Sequence, residues 1–321
     1  MQHFHLRRGD DLWEAISLFE QAAAADPAFA QAWAGQALVY SVMPAYTDRI
    51  GWAESDRLVL DRGLYALTLD PLQPEPYAAM AMLFETNDAT WEALLERAIA
   101  LRPSFATAHQ WLGTRLMARG RLDEGLAAME RASALDPRSA VIANNHAHVL
   151  LAAGRTADAR QRCEQSLAIT PDDVSCLQYL GIAALLLGDF DAARTHLRKL
   201  SEAGVGNAGD QPDRIIDALS GKGDRKAVAR ELAALPFNSN VIPGSGNSME
   251  DQIVALVLVL LGEHALALDY VERISGELGN TMDWGVMLPG MDPIRCDPRF
   301  QAVVAKLGAK DPHAATVCAG G

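Results

Sequence analysis

Three side-chain amides, Gln110, Asn144 and Gln178, follow one another at intervals of 34 residues. An amide offers two donors and a doubly accepting oxygen, so amides stacked at equal steps can hydrogen-bond the backbone of an extended peptide whatever its side chains. One helical turn further along, the same register holds Thr114, His148 and Ile182. Gln110, Asn144, His148 and Gln178 are therefore the candidate partner-binding residues. Polar positions kept only for solvation would give the same pattern.

Other chemistry finds little support, and no catalytic, metal-binding or cofactor-binding residue is expected. His146 and His148 are two apart, so on a helix they point in different directions and do not chelate together. His146 shares the column of Leu112 and Leu180, which places it in helix packing. His3 and His5 lie near the first residue. The segment SGKGDRK at 220–226 has glycine and lysine without the spacing of a phosphate loop. PGSGNS at 243–248 reads as a flexible connector, and GEHALALDY at 262–270 lacks the second histidine of a zinc-protease helix. No serine or cysteine stands in a nucleophile-elbow context. The abundant carboxylates read as solvated helix faces. An enzyme with a site between 206 and 296 remains as a third class of reading.

The chain carries 41 carboxylates against 28 lysines and arginines, a formal net charge of −13. Nucleic acid and anionic lipid would repel that balance, and the longest basic cluster is Arg7-Arg8. Cys163, Cys176, Cys296 and Cys318 form no Cys-x-x-Cys pair, so neither a zinc site nor a disulfide framework is suggested, and a reducing cytoplasm fits them. The first eight residues lack the apolar run of a secretory signal. The longest apolar stretch, 253–261, has nine residues, too few to span a membrane.

The elements that must position the amides are marked by punctuation. Pro103, Pro137 and Pro171 are 34 residues apart, and Gly120, Gly154 and Gly188 keep the same interval. That is the length of two antiparallel helices, with glycine closing the first and proline ending the second. In the unit 104–137 the first helix is expected over 105–119 and the second over 122–135. Units 138–171 and 172–205 follow without a gap. Small residues in the column Gly125, Ala159 and Ala193 let neighbouring helices approach. Upstream, Ala15, Phe19, Ala22 and Pro27 mark the second helix of a truncated first unit. Prolines 27 and 71 are 44 apart, so about ten extra residues are expected as a loop around 44–50. Trp91, Leu95 and Ala98 belong to the second helix of the unit ending at Pro103.

Past Leu200 the register decays and 201–212 reads as a loop. Two degenerate hairpins are expected, 214–220 with 225–235 and 250–261 with 263–277. An amphipathic helix at 297–308 would cap the stack with Phe300, Val303, Val304 and Leu307. The apolar run 253–261 must be covered, either by the segment around Trp284 to Leu288 or by another protein. The expected organisation is a repeat array over 1–205 of five to six units, degenerate hairpins with a capping helix over 206–308, and a disordered tail over 309–321.

The Ala15, Phe19, Ala22 and Pro27 spacing, the Leu112-Gly113 and Leu180-Gly181 pairs and the repeated Asp-Pro endings resemble tetratricopeptide repeats. The resemblance implies an all-α, right-handed superhelical solenoid of antiparallel helix hairpins whose first helices line an inner groove. It places Gln110, Asn144, His148 and Gln178 on that groove, and it implies a non-enzymatic module for a protein or peptide partner. Chaperone-binding members of the family use lysine and asparagine in these two columns to clamp a terminal carboxylate, and this chain has no lysine there, so that ligand is not implied. LRRGDDLWEAISLFEQA near the start and MDPIRCDPRFQAVVAKLG near the end look like the borders of the repeat region in bacterial adenylate/guanylate cyclase-like proteins and CadC-type winged-helix regulators. That likeness implies a role in signalling or transcriptional regulation, with a cyclase or winged-helix partner. The rival reading is an assembly scaffold or adaptor without regulatory output.

Overall fold

The computed structural model describes residues 9–84, 88–203, 211–235, 249–278, 287–307 and 310–319. Every regular element among them is helical. In order these are α1 (Gly9–Ala25), α2 (Ala30–Tyr40), α3 (Trp52–Leu69), α4 (Pro74–Ala81), α5 (Thr90–Leu101), α6 (Ala106–Ala118), α7 (Leu122–Leu135), α8 (Ala140–Ala152) and α9 (Thr156–Leu167). Then come α10 (Val174–Leu186), α11 (Phe190–Glu202), α12 (Gln211–Leu219), α13 (Arg225–Ala233), α14 (Met249–Leu260) and α15 (His264–Leu278). Three short helices complete the chain: α16 (Asp292–Arg295), α17 (Pro298–Lys306) and α18 (Ala314–Cys318). The described residues divide into two compact units, one made of 9–115 and 128–142 and the other of 116–127 and 143–319.

The 34-residue glycines end their helices for a stereochemical reason. Gly120 has φ +73°, a left-handed conformation that side chains with a Cβ avoid. Its N–H donates to the Met117 carbonyl at 2.8 Å and the next N–H, of Arg121, reaches back to Leu116 at 2.9 Å. This paired cap satisfies carbonyls that the helix leaves open. Gly188 repeats the arrangement at φ +70°. So does Gly262, in the region where the sequence register had decayed.

In the first unit α1 packs on α2, α2 touches both α3 and α4, and α4 packs on α5. The Phe19 ring lies over Gly35, so close that a Cβ there would sit 2.4 Å from it. Trp91, Leu95 and Ala98 are fully buried, as their spacing implied. The extra residues between α2 and α3 form a 3-10 turn at Met43–Ala45 followed by irregular chain.

In the second unit α9, α10, α11 and α12 pack in succession, and α14 packs on α15. The later hairpins form at the expected places, α12 with α13 and α14 with α15. Phe300, Val303, Val304 and Leu307 are all buried on and just after α17. The apolar run of α14 is covered from within the unit: the turn Pro289–Met291 packs on it, and a Cβ on Gly290 would collide with Leu256. Trp284, the expected connector at 243–248 and positions 204–210 lie outside the described residues.

Two expectations are corrected. Residues 310–319, placed in a disordered tail, carry α18 and hold Asp311 against Arg295 in the interior. Cys296 and Cys318 are disulfide-bonded, with Cα atoms 5.5 Å apart, although their sequence separation of 22 shows no motif. A pairing made by tertiary return of the chain leaves no local spacing to read.

Candidate partner-binding face

Within the second unit the candidate residues sit on α8 and α10. Asn144, half-buried on α8, donates from Nδ2 to Asp173 Oδ1 at 3.2 Å. Asp173 in turn caps α10, accepting from the backbone N–H groups of Ser175 at 3.0 Å and Cys176 at 3.2 Å. A carboxylate at a helix N-terminus satisfies open donors and faces the positive end of the helix dipole. Burial pushes the Asp173 carboxyl above its ordinary range, and the bonds from Cys176, Asn144 and Ser175 pull it back in part. Asn144 thus ties α8 to the first turn of α10.

His148, one turn beyond Asn144, is 4% exposed. Its ring stacks on Tyr179 at a centroid distance of 5.5 Å and an interplanar angle of 13°. Burial lowers its pKa from 6.5 to about 3, so the ring is neutral at ordinary pH. The same burial raises the Tyr179 hydroxyl. Gln178 is 1% exposed, on a helix in which every residue from Cys176 to Leu185 except half-buried Tyr179 is buried. Beneath lie the free thiols of Cys163 and Cys176, both buried and hydrogen-bonded to each other, with the Cys163 thiol pushed up chiefly by burial.

The sequence columns are therefore real, but their exposure differs from expectation. His148 and Gln178 are interior, and Gln110, in the first unit on α6, is 5% exposed. Only Asn144 of the four reaches the surface in part. His146, expected in the packing, is half-buried instead. A 34-residue period states which positions are equivalent, and does not state which side of a doubly packed helix each one takes. Asp173 was the missed member of the group, although an aspartate just before an apolar helical run is a recognisable cap signal.

Elsewhere α3 exposes an apolar stripe at Trp52, Leu60 and Leu64, the first 59% and the last 55% open. Asp56, itself exposed, lies between Trp52 and Leu60 in this stripe, and partial desolvation raises its carboxyl. On α12 and α13 a small cleft is lined by Gln211, Arg214, Ile215, Val228, Glu231 and Leu232. Its carboxylate, Glu231, is bonded to Arg214 at 2.7 Å and held below its ordinary range. Among the described residues no three of His, Cys, Asp and Glu gather as metal ligands, and no helix is long and apolar enough to cross a membrane.

Residues 92–140 and 138–203 each match a family model described as tetratricopeptide repeat, so this stretch, about a third of the chain, is similar to tetratricopeptide repeats. No curated protein sequence matches the chain. Several solved structures share its architecture. The APC/C hetero-tetramer Cut9–Hcn1 aligns with a TM-score of 0.56 at 11% identity, over 92% of this chain and 52% of that one. PilF of Pseudomonas aeruginosa aligns with a TM-score of 0.52 at 20% identity, over 68% of this chain and 96% of its own. Human IFIT1, solved as a dimer with PPP-AAAA, gives 0.50 at 16% identity over 83% and 68% respectively. At these identities the likeness is one of fold: all-α, tetratricopeptide-like helix hairpins.

Proposed function

We propose that this chain is a non-enzymatic tetratricopeptide module that binds a protein or peptide partner, acting in the bacterial cytoplasm in signalling or transcriptional control. The observation that carries the reading is the run of repeat hairpins over 92–203. Such hairpins bury their apolar faces against one another, which leaves the remaining faces free to vary for a ligand. Asn144 is the contact residue of the second unit, half-open and tied to the α10 cap. His148 and Gln178 act behind it by fixing the helices that present it, and Gln110 has the corresponding place on α6. The partner is a regulator of the cyclase or winged-helix kind, a reading supported by the resemblance of segments 6–22 and 291–308.

The test is a binding measurement on the partner recovered with the intact chain from its native cell. Asn144→Ala should weaken that complex about tenfold, the worth of one or two hydrogen bonds, with helical content unchanged. Asp173→Asn, which alters the same helix link but keeps the Asn144 amide, should weaken it less. Equal affinity for wild type and Asn144→Ala would refute the reading, as would a chain that turns over a small molecule at that face.

A further inference from the structure

The last described segment returns to the ends of the repeat helices and is tied there at several points, all within the second unit. The Lys310 N–H donates to the Ala118 carbonyl at the end of α6, at 3.2 Å. The Lys310 carbonyl runs so close to Gly120 that a Cβ there would lie 3.1 Å from it. His313 Nε2 donates to the Ala152 carbonyl at the end of α8, at 2.6 Å. The Asp311 side chain is 2% exposed and pairs with Arg295, whose side chain is wholly buried and also donates to Asp292 at 2.7 Å and to the Leu288 carbonyl at 2.7 Å. The Cys296–Cys318 disulfide closes the return. Cys296 is exposed and Cys318 half-buried, so a thiol in solution can reach the bond.

We propose that residues 310–319 form a thiol-controlled latch, shut over the C-terminal ends of α6 and α8 when Cys296 and Cys318 are joined and released when they are reduced. This goes beyond the partner-binding reading and does not depend on it. The cofactor class is a dithiol reductant. One thiolate of the dithiol attacks Cys296 Sγ, the Sγ–Sγ bond breaks, and Cys318 leaves as a thiolate that takes up a proton. The second thiol of the reductant then attacks its own mixed-disulfide sulfur, releasing Cys296 as a thiol. Two electrons and two protons pass to the protein, and the dithiol becomes a disulfide. The opposite exchange with an oxidised dithiol restores the latch. In a reducing compartment a reachable disulfide of this kind is transient and regulatory rather than structural.

The covalent bond adds to the anchors at Ala118, Ala152 and Arg295. Closing a loop with a sequence separation of 22 restricts the released state and favours the shut one on the order of 100-fold. Release frees the Ala118 and Ala152 carbonyls, which become open helix-end acceptors.

The experiment uses the full chain purified in thiol-free buffer. Denatured without reductant, it should titrate two thiols, those of Cys163 and Cys176; four would overturn the proposal. Hydrogen exchange is then followed on the native chain, with and without dithiothreitol, and on Cys318→Ser. The amides of Lys310, Thr316 and Val317 should exchange on the order of 100-fold faster in the reduced chain and in the variant, while those of α7 and α10 keep their rates. If Cys318→Ser fails to fold, Cys296→Ser replaces it. His313→Ala, which keeps the disulfide, should speed the same amides by less than about tenfold. Unchanged exchange at 310–317 on reduction would show a segment held without the bond, and faster exchange throughout the second unit would show a staple of the whole fold. Either result overturns the latch.

Discussion

His148 is a neutral imidazole in a site with no room for its charge. The unfolded chain takes up a proton near pH 6.5, whereas the folded one resists until about pH 3. The pKa is depressed in the folded state, so the associated stability is full above pH 6.5 and falls as pH drops from there towards 3. Each pH unit in that window is worth about 1.4 kcal/mol. Between pH 7.5 and 4.5, chemical denaturation should therefore show wild type losing about 2–3 kcal/mol more than His148→Gln. Parallel losses would mean that His148 is solvated and free to face a ligand. The residue scale is also where sequence reading reached least far. The amide column and the His148 position were legible from the repeat period, but exposure depends on what packs against both sides of α8 and α10. Asn144 and Gln178 are equivalent in register, yet one reaches the surface and the other is enclosed by its own helix's neighbours.

Elements were read more securely, because their ends are written in residues with few conformational options. Gly120 and Gly188 both take positive φ, so alanine at either should cost about 1–2 kcal/mol. They differ in surroundings: a Cβ on Gly120 meets the Lys310 backbone at 3.1 Å, and on Gly188 it meets nothing within 4 Å. Gly120→Ala should thus be the costlier of the two by about 0.5–1 kcal/mol in denaturant unfolding of the oxidised chain, with equal costs placing 310 away from α6. A second contrast tests the α1–α2 contact. Gly35→Ala would ordinarily strengthen a helix by about 1 kcal/mol, but here the Phe19 ring occupies the space. The expected net loss is about 1–2 kcal/mol, recovered in part by Phe19→Leu in the same chain; a net gain would contradict the close approach. The sequence missed the return of 310–319, since a contact between Lys310 and Ala118 has no periodic signature. It could not show the Cys296–Cys318 pair for the same reason.

At the scale of the whole molecule, the repeat period and the glycine and proline punctuation made an all-helical fold legible along most of the chain, and the hairpins past Leu200 followed from their apolar patterns. The account's central claim is that the repeats over 92–203 present a face to a specific protein partner. It is tested most directly by photo-crosslinking in the native cell, with a photoreactive residue replacing half-buried Ser175, beside the Asn144–Asp173 link, and a second chain labelled at exposed Glu96. The account predicts one discrete protein adduct from position 175 and none of that mass from position 96. No adduct at 175, or the same scattered adducts from both positions, would contradict it.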